Sequence, residues 1–208
     1  MFELLSADTP NGKKVSILLE ELSLKYKVTK INIYKGDQFK PSFSKISPFN
    51  KIPVLKDLKT KKYIFESGAI LIYLGEKYKK FYDKKYRLKI LQWLMAQMAY
   101  VGPMFGQHHQ FHHYNHGKSK FGEDRYFKIS AQIYKDLDKR LSKSKFLACS
   151  KYTIADIATF PWVARHEIHD IGLKKFKNLT RWFDLISKRK AVIKGYDFMN
   201  RGEIIPKP

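Results

Sequence analysis

The stretch Asn50-Lys51-Ile52-Pro53-Val54-Leu55, answered after a short hairpin by Phe65-Glu66-Ser67-Gly68-Ala69-Ile70, constrains this chain more than any other. Pro53 opens an apolar run, and proline is tolerated at the first residue of a strand. The Ile52–Pro53 bond is a candidate cis peptide, because only X-Pro bonds have a trans preference small enough for a turn to overcome. Such a bond turns the Ile52 N–H and C=O away from the sheet, where they can pair with an extended ligand. Ser67 stands just before an apolar helical pattern, where an N-cap belongs. The helix it opens offers orphan N–H groups and a positive dipole end to a carboxylate. Together the two segments predict a site for a small peptide-like anion, held by backbone on one side and by a helix terminus on the other.

Upstream, Phe2 to Ser6 reads as a strand and Ala7 to Gly12 as a turn, punctuated by Pro10 and Asn11-Gly12. Val15, Leu18, Leu19 and Leu22 follow at helical spacing, with Lys13, Lys14, Glu20 and Glu21 assigned to the wet face. Tyr26 to Ile33 reads as a second strand. Gly36 and Pro41 bound a loop and a short helix up to Ile46. Pro53 to Leu58 and Lys62 to Phe65 form a hairpin, and Ala69 to Tyr78 a helix. A right-handed crossover unit followed by a hairpin and a covering helix resembles a thioredoxin-like domain.

Tyr78 to Arg87, rich in lysine and tyrosine, reads as a linker, and beyond it strand signals vanish. Leu88, Leu91, Met95 and Met98 mark a long helix, bent near Gly102-Pro103. Tyr126, Ile129, Ile133, Leu137 and Leu141 mark another. Thr153-Ile154-Ala155-Asp156 fits a capping box at the start of a buried helix. Trp182, Phe183 and Ile186 lie on one more. The expected architecture is an α/β domain over residues 1–79 and an all-α domain over 86–208, each of ordinary size.

Thr9-Pro10-Asn11-Gly12 sits where the first strand hands over to the first helix. A ligand thiol is a poor nucleophile until it ionises, and a thiolate is held by hydrogen-bond donors at a helix N-terminus. Thr9 and Asn11 supply such donors. Both residues also cap helices well, and alone the motif reads that way. The combination decides otherwise. Ser6 to Lys14, then Gly36-Asp37-Gln38-Phe39, Ile46-Ser47-Pro48-Phe49-Asn50-Lys51-Ile52-Pro53 and Phe65 to Leu74 resemble, in order, the nu class of bacterial glutathione transferases. Leu91-Gln92-Trp93-Leu94, Gly102-Pro103-Met104-Phe105-Gly106-Gln107 and Tyr152 to Ile157 continue the resemblance through the helical half.

The resemblance implies a homodimeric enzyme, and the single cysteine a cytoplasmic one. It would reduce small disulfides, and organic hydroperoxides, with glutathione bound at a cysteine-free site as one molecule, two molecules or glutathione disulfide. It implies Thr9 and Asn11 at the ligand sulfur and Ile52, beside cis-Pro53, paired with the cysteinyl unit. Glu66 and Ser67 would hold the γ-glutamyl end and Gln38 would reach the glycine end, with Lys51 as an electrostatic helper. Gln132 stands where the family pattern has an arginine reaching the ligand, and a glutamine cannot make a charged bidentate contact. Two other readings are a transferase that conjugates glutathione to electrophiles and a non-catalytic glutathione-binding adaptor.

The rest of the sequence narrows the alternatives. At 208 residues the chain can bury a proper core. No run approaches the length of a membrane span, and Met1 to Leu5 lacks a signal peptide's basic start. Cys149, the one cysteine, has no intramolecular partner, which fits a reducing compartment. Its apolar neighbours make it a small buried hydrophobe. The net charge of +22 invites a nucleic-acid reading. Yet lysine outnumbers arginine by about five to one and is spread through the chain, whereas base readers lean on arginine. A decorated surface with no specific nucleic-acid or membrane partner is the expectation. His108, His109, His112, His113 and His116 form a cluster that no carboxylate or cysteine accompanies in the segment, so no metal is expected. Asp156 reads as a cap rather than a catalytic acid.

Overall fold

The structure, a computed structural model, describes Met1–Pro208 and divides into two compact units, Met1–Tyr82 with Arg189–Ile204, and Asp83–Lys188 with Ile205–Pro208.

The first unit is built on a four-stranded sheet of β1 (Phe2–Ser6), β2 (Tyr26–Lys30), β3 (Val54–Asp57) and β4 (Lys62–Phe65), in the order β2-β1-β3-β4. β1 runs parallel to β2 and antiparallel to β3, and β4 antiparallel to β3. This is the thioredoxin-like α/β arrangement. Alternation along β1 sends Phe2, Leu4 and Ser6 inward. Val15, Leu18 and Leu19 of α1 (Pro10–Glu21) and Ile70, Leu71 and Leu74 of α3 (Ser67–Tyr78) are buried in the same core. A single turn, α2 (Pro41–Ser44), lies between β2 and β3. The hairpin end is closed by buried Asp57, which accepts from Tyr73 Oη at 2.6 Å, from the Lys59 N–H at 2.9 Å and from Lys77. β2 stops at Lys30, short of the expected Ile33. Beyond it the Asn32 Oδ1 accepts the N–H groups of Tyr34 and Lys35, each at 3.1 Å, and the Asn32 N–H is taken by Asp37. These local bonds replace the ladder.

Two expectations are corrected in this unit. Residues 189–204 belong to the first unit rather than to the helical one, because α9 (Lys190–Tyr196) lies against α1. The approach is close enough to require glycine: a Cβ on Gly195 would stand 2.6 Å from Ile17 Cα. Lys13 and Lys14, assigned to the wet face, are instead buried, at 3% and 1% exposure. The returning tail covers Lys13. Its Nζ donates to Tyr196 O at 2.7 Å and pairs with Asp8 at 2.8 Å and with Glu203.

The second unit is all-helical: α4 (Arg87–Ala96), α5 (Gly102–His108), α6 (Lys120–Ser142), α7 (Ile154–Val163) and α8 (Lys177–Ser187). The bend expected near Gly102-Pro103 is taken up by a π-helical turn, Gln97–Val101, and a second such turn, His109–Tyr114, follows α5. Ile133, Leu137 and Leu141 of α6 and Trp182, Phe183 and Ile186 of α8 are buried as their spacing predicted. The capping box at Thr153 is complete, and Cys149 is buried.

Candidate active site

Strand register assembles the site. Leu5 pairs with Val54, and Val54 with Phe65. The chain leaving β1 toward Thr9, the Ile52–Pro53 turn entering β3, and the Glu66–Ser67 step leaving β4 therefore meet at one end of the sheet. The Ile52–Pro53 bond is cis.

At the first of these, Thr9 is the N-cap of α1, its Oγ1 accepting the Gly12 N–H at 3.2 Å. A hydroxyl that accepts one N–H still has its own hydrogen to donate, so the cap leaves a donor at the helix start. Pro10 occupies the first helical turn, where its missing N–H costs nothing. Gly12 is required behind it, since a Cβ would stand 2.5 Å from Ser6 Oγ and 2.7 Å from Ala7 O. Asn11, half-buried, lies in the same turn.

At the second, Ser47 locks the loop before the cis bond. Its Oγ accepts the Lys51 N–H at 3.1 Å and donates to Lys51 O at 2.7 Å. Asn50 adopts a positive φ of 55° and accepts from Ser44 Oγ at 2.7 Å. The Lys51 side chain is left exposed. Gln38 sits on a short 3₁₀ turn, Asp37–Phe39, with its Nε2 donating to Ile33 O at 3.3 Å. The Gln38 Oε1 is buried without a hydrogen-bond partner.

At the third, the structure moves the cap by one residue. Glu66, not Ser67, is the N-cap of α3, and Ser67 is the first helical residue. Glu66 has φ 66° and ψ 115°, a conformation that costs a non-glycine residue about 1–3 kcal/mol and persists where the surroundings impose it. No side chain caps α3. Ser67 is 5% exposed while Glu66 is open to solvent.

Sequence reasoning missed the basic group behind this corner. Lys14, fully buried on α1, feels the charge of Glu66. Burial drives its amine well below the usual lysine range, and Glu66 pulls in the opposite sense. A lysine at a helical position reads as surface, and nothing local marks it otherwise. Gln132 lies on α6 in the helical unit, exposed, with its Nε2 donating to Asp136 Oδ1 at 2.9 Å.

The model of the glutathione S-transferase N-terminal domain matches residues 2–76, and that of the C-terminal domain residues 95–190. The disulfide-bond oxidoreductase YfcG of Escherichia coli is 39% identical over 198 residues, 92% of either chain. A glutathione transferase from Burkholderia graminis, solved with two glutathione molecules per subunit, is 38% identical with a TM-score of 0.89. The match covers 97% of this chain and 89% of that one. A glutathione transferase from Pseudomonas putida, solved with one glutathione disulfide per subunit, is 39% identical with a TM-score of 0.86, covering 94% and 90%.

Proposed function

The chain belongs to the glutathione S-transferase family, and on that premise we propose that it reduces small disulfides with glutathione, at a site whose redox sulfurs all belong to the ligands. One observation carries the reading: the turn between β1 and α1, at the sheet end where the three segments meet, presents Thr9 and Asn11, and the single cysteine, Cys149, is buried in the helical unit.

The γ-glutamyl carboxylate of glutathione lies at the N-terminal end of α3 at Ser67, where the helix dipole favours an anion, with the Glu66 carboxylate taking its ammonium. The cysteinyl unit pairs with the Ile52 backbone beside cis-Pro53. The glycine carboxylate reaches Lys51 and Gln38, whose Nε2 can leave Ile33 O for it. The sulfur then falls to the Thr9 hydroxyl, the Asn11 side chain and the start of α1. Donors and a dipole end there favour the thiolate over the thiol.

The chemistry balances without a protein thiol. The glutathione thiolate attacks one sulfur of the substrate disulfide; a mixed disulfide forms and the first substrate thiolate leaves and takes a proton. A second glutathione thiolate attacks the glutathione sulfur of the mixed disulfide, giving glutathione disulfide and the second substrate thiol. Two glutathiones are oxidised and one disulfide is reduced. Organic hydroperoxides fit the same two-electron balance, yielding an alcohol and water.

The family pattern has an arginine where Gln132 stands, so a second glutathione is held by fewer ionic contacts than that pattern offers. The chain is read as a homodimer of the cytoplasm. Phe49 and Leu88, 73% and 71% exposed, are apolar side chains of the kind a subunit interface covers, and no helix is long and apolar enough to cross a membrane. Titration calorimetry with glutathione disulfide tests the binding site: one disulfide per chain is expected, and Thr9→Ala with Asn11→Ala should lower the rate of disulfide reduction more than it lowers affinity. Unchanged rates in both variants would return the two residues to helix capping alone.

A further inference from the structure

The histidine cluster that the sequence left without a carboxylate acquires one in the fold. His112 and His116 stand four residues apart, His112 in the π-helical turn and His116 just beyond it. The chain then reverses through Gly117, at φ 81°, and Ser119 caps α6. This brings Glu123, in the first turns of α6, back against the histidines. Its Oε2 lies 3.3 Å from His116 Nδ1. Its other oxygen, Oε1, accepts the Gly117 N–H at 2.7 Å.

One ligating atom from each of His112, His116 and Glu123 lies within 4.8 Å of the other two. Zinc-to-ligand bonds of about 2.0–2.1 Å put neighbouring tetrahedral donors about 3.3 Å apart. The His116–Glu123 pair already stands at that spacing. The His112 and His116 rings stand nearly perpendicular, 5.9 Å apart between centroids, and the His112 donor lies within 4.8 Å of the other two.

The surroundings favour a bound ion. His112 is stacked on His108, with ring centroids 4.7 Å apart, and His108 is itself anchored by a 2.9 Å hydrogen bond between its Nε2 and His169 O. A second carboxylate is at hand, Asp170 Oδ2, 3.7 Å from His112 Nε2. The lysines of this turn are engaged elsewhere: Lys118 donates to Asn115 Oδ1, and Lys120 pairs with Asp124. The Gly117 N–H bond to Glu123 Oε1 orients that carboxylate, as outer partners orient the ligands of metal sites.

We propose that His112, His116 and Glu123 bind one divalent transition-metal ion of the zinc or nickel class, with Asp170 or water completing its shell. Two imidazoles and one carboxylate suit these borderline ions rather than magnesium or calcium, which prefer all-oxygen shells. The ion would tie the turn after α5 to the start of α6. An ion pair between His116 and Glu123 alone is the competing account, and it makes no demand on His112.

The test is titration calorimetry of the untagged full chain with zinc sulfate, in buffer free of glutathione, which itself binds zinc. Wild type should bind one zinc tightly, with a matching rise in thermal midpoint. Glu123→Gln, which keeps an acceptor for the Gly117 N–H, His116→Ala, and His112→Ala should each weaken that site by about tenfold or more. His113→Ala, an exposed neighbour outside the cluster, should bind as wild type. No binding to wild type at about 0.1 mM zinc, or a tight site that survives in the His116→Ala/Glu123→Gln double variant, would overturn the proposal.

Discussion

Replacing Asp156 by alanine separates structure from catalysis in the helical unit. The carboxylate is fully buried and receives four hydrogen bonds. Oδ1 accepts the Leu147 N–H at 2.8 Å and the Trp182 indole N–H at 2.9 Å; Oδ2 accepts the Thr153 N–H and the Thr153 hydroxyl, each at 3.0 Å. The hydroxyl can rotate to another acceptor, but the three N–H donors are fixed and would be left buried and unpaired. Each such orphan costs about 1–3 kcal/mol, so a total loss of about 4 kcal/mol is expected, a large share of the roughly 5–15 kcal/mol that holds a domain folded. With a slope of about 2.5 kcal/mol per molar urea, the unfolding midpoint should fall by about 1.6 M.

The pH dependence of that loss has a definite sign. Burial pushes the Asp156 carboxyl up to about 6, against the pull of its donors from Leu147, Trp182 and Thr153. A pKa raised on folding contributes stability below the unfolded value, near 4, and loses it as the pH rises through 6. The penalty of Asp156→Ala should therefore be larger at pH 5 than at pH 7.5, by roughly 1 kcal/mol. Urea unfolding followed by far-ultraviolet circular dichroism at both values measures it. Disulfide reduction per folded molecule should stay at the wild-type level. A penalty below about 1 kcal/mol, or one that shrinks at pH 5, refutes the reasoning.

Further predictions concern the first unit. Gly195→Ala adds helix propensity worth about 1 kcal/mol, yet its Cβ would meet Ile17 backbone at 2.6 Å; a net destabilisation by urea titration is expected, and a stabilised variant would mean that α9 does not lie on α1. Thr9→Ser should keep both cap and rate, whereas Thr9→Ala should lower the rate and cost about 1 kcal/mol of stability; equal rates in the two would deny the hydroxyl a role at sulfur. Burial raises the Asp57 carboxyl, but the hydrogen bonds from Lys77, Tyr73 and the Lys59 and Thr60 N–H groups outweigh it and hold the group well below its usual range. Stability from Asp57 is thus present above pH about 4 and lost as the pH falls; Asp57→Asn should flatten the acid limb of the unfolding profile, and an unchanged limb would count against the network.

Much of the first unit was legible because its signals are local. Alternation, helical spacing and the Pro53 and Gly12 punctuation give β1, α1, the hairpin and α3 directly. The capping box at Thr153 follows from residue types alone, and the structure completes it. What escaped the sequence depends on pairing across long separations. No local pattern says that residues 189–204 return to α1, and so none says that Lys13 is covered; none marks Lys14 as buried either. The shift of the α3 cap from Ser67 to Glu66 has the same origin: serine is the better cap by type, but the step out of β4 places Glu66 at φ 66°. Glu123 was invisible as a partner of His116 because a turn, not a spacing, joins them.

The central claim is that glutathione supplies the sulfur chemistry and the protein supplies none. It is tested most directly by replacing Cys149, the only cysteine, with serine and following reduction of a small disulfide by glutathione, with glutathione reductase recycling the product. Wild type and Cys149→Ser, both folded, should turn over at the same rate above the uncatalysed reaction. Absence of catalysis in the wild-type protein, or its loss in Cys149→Ser alone, would contradict the account.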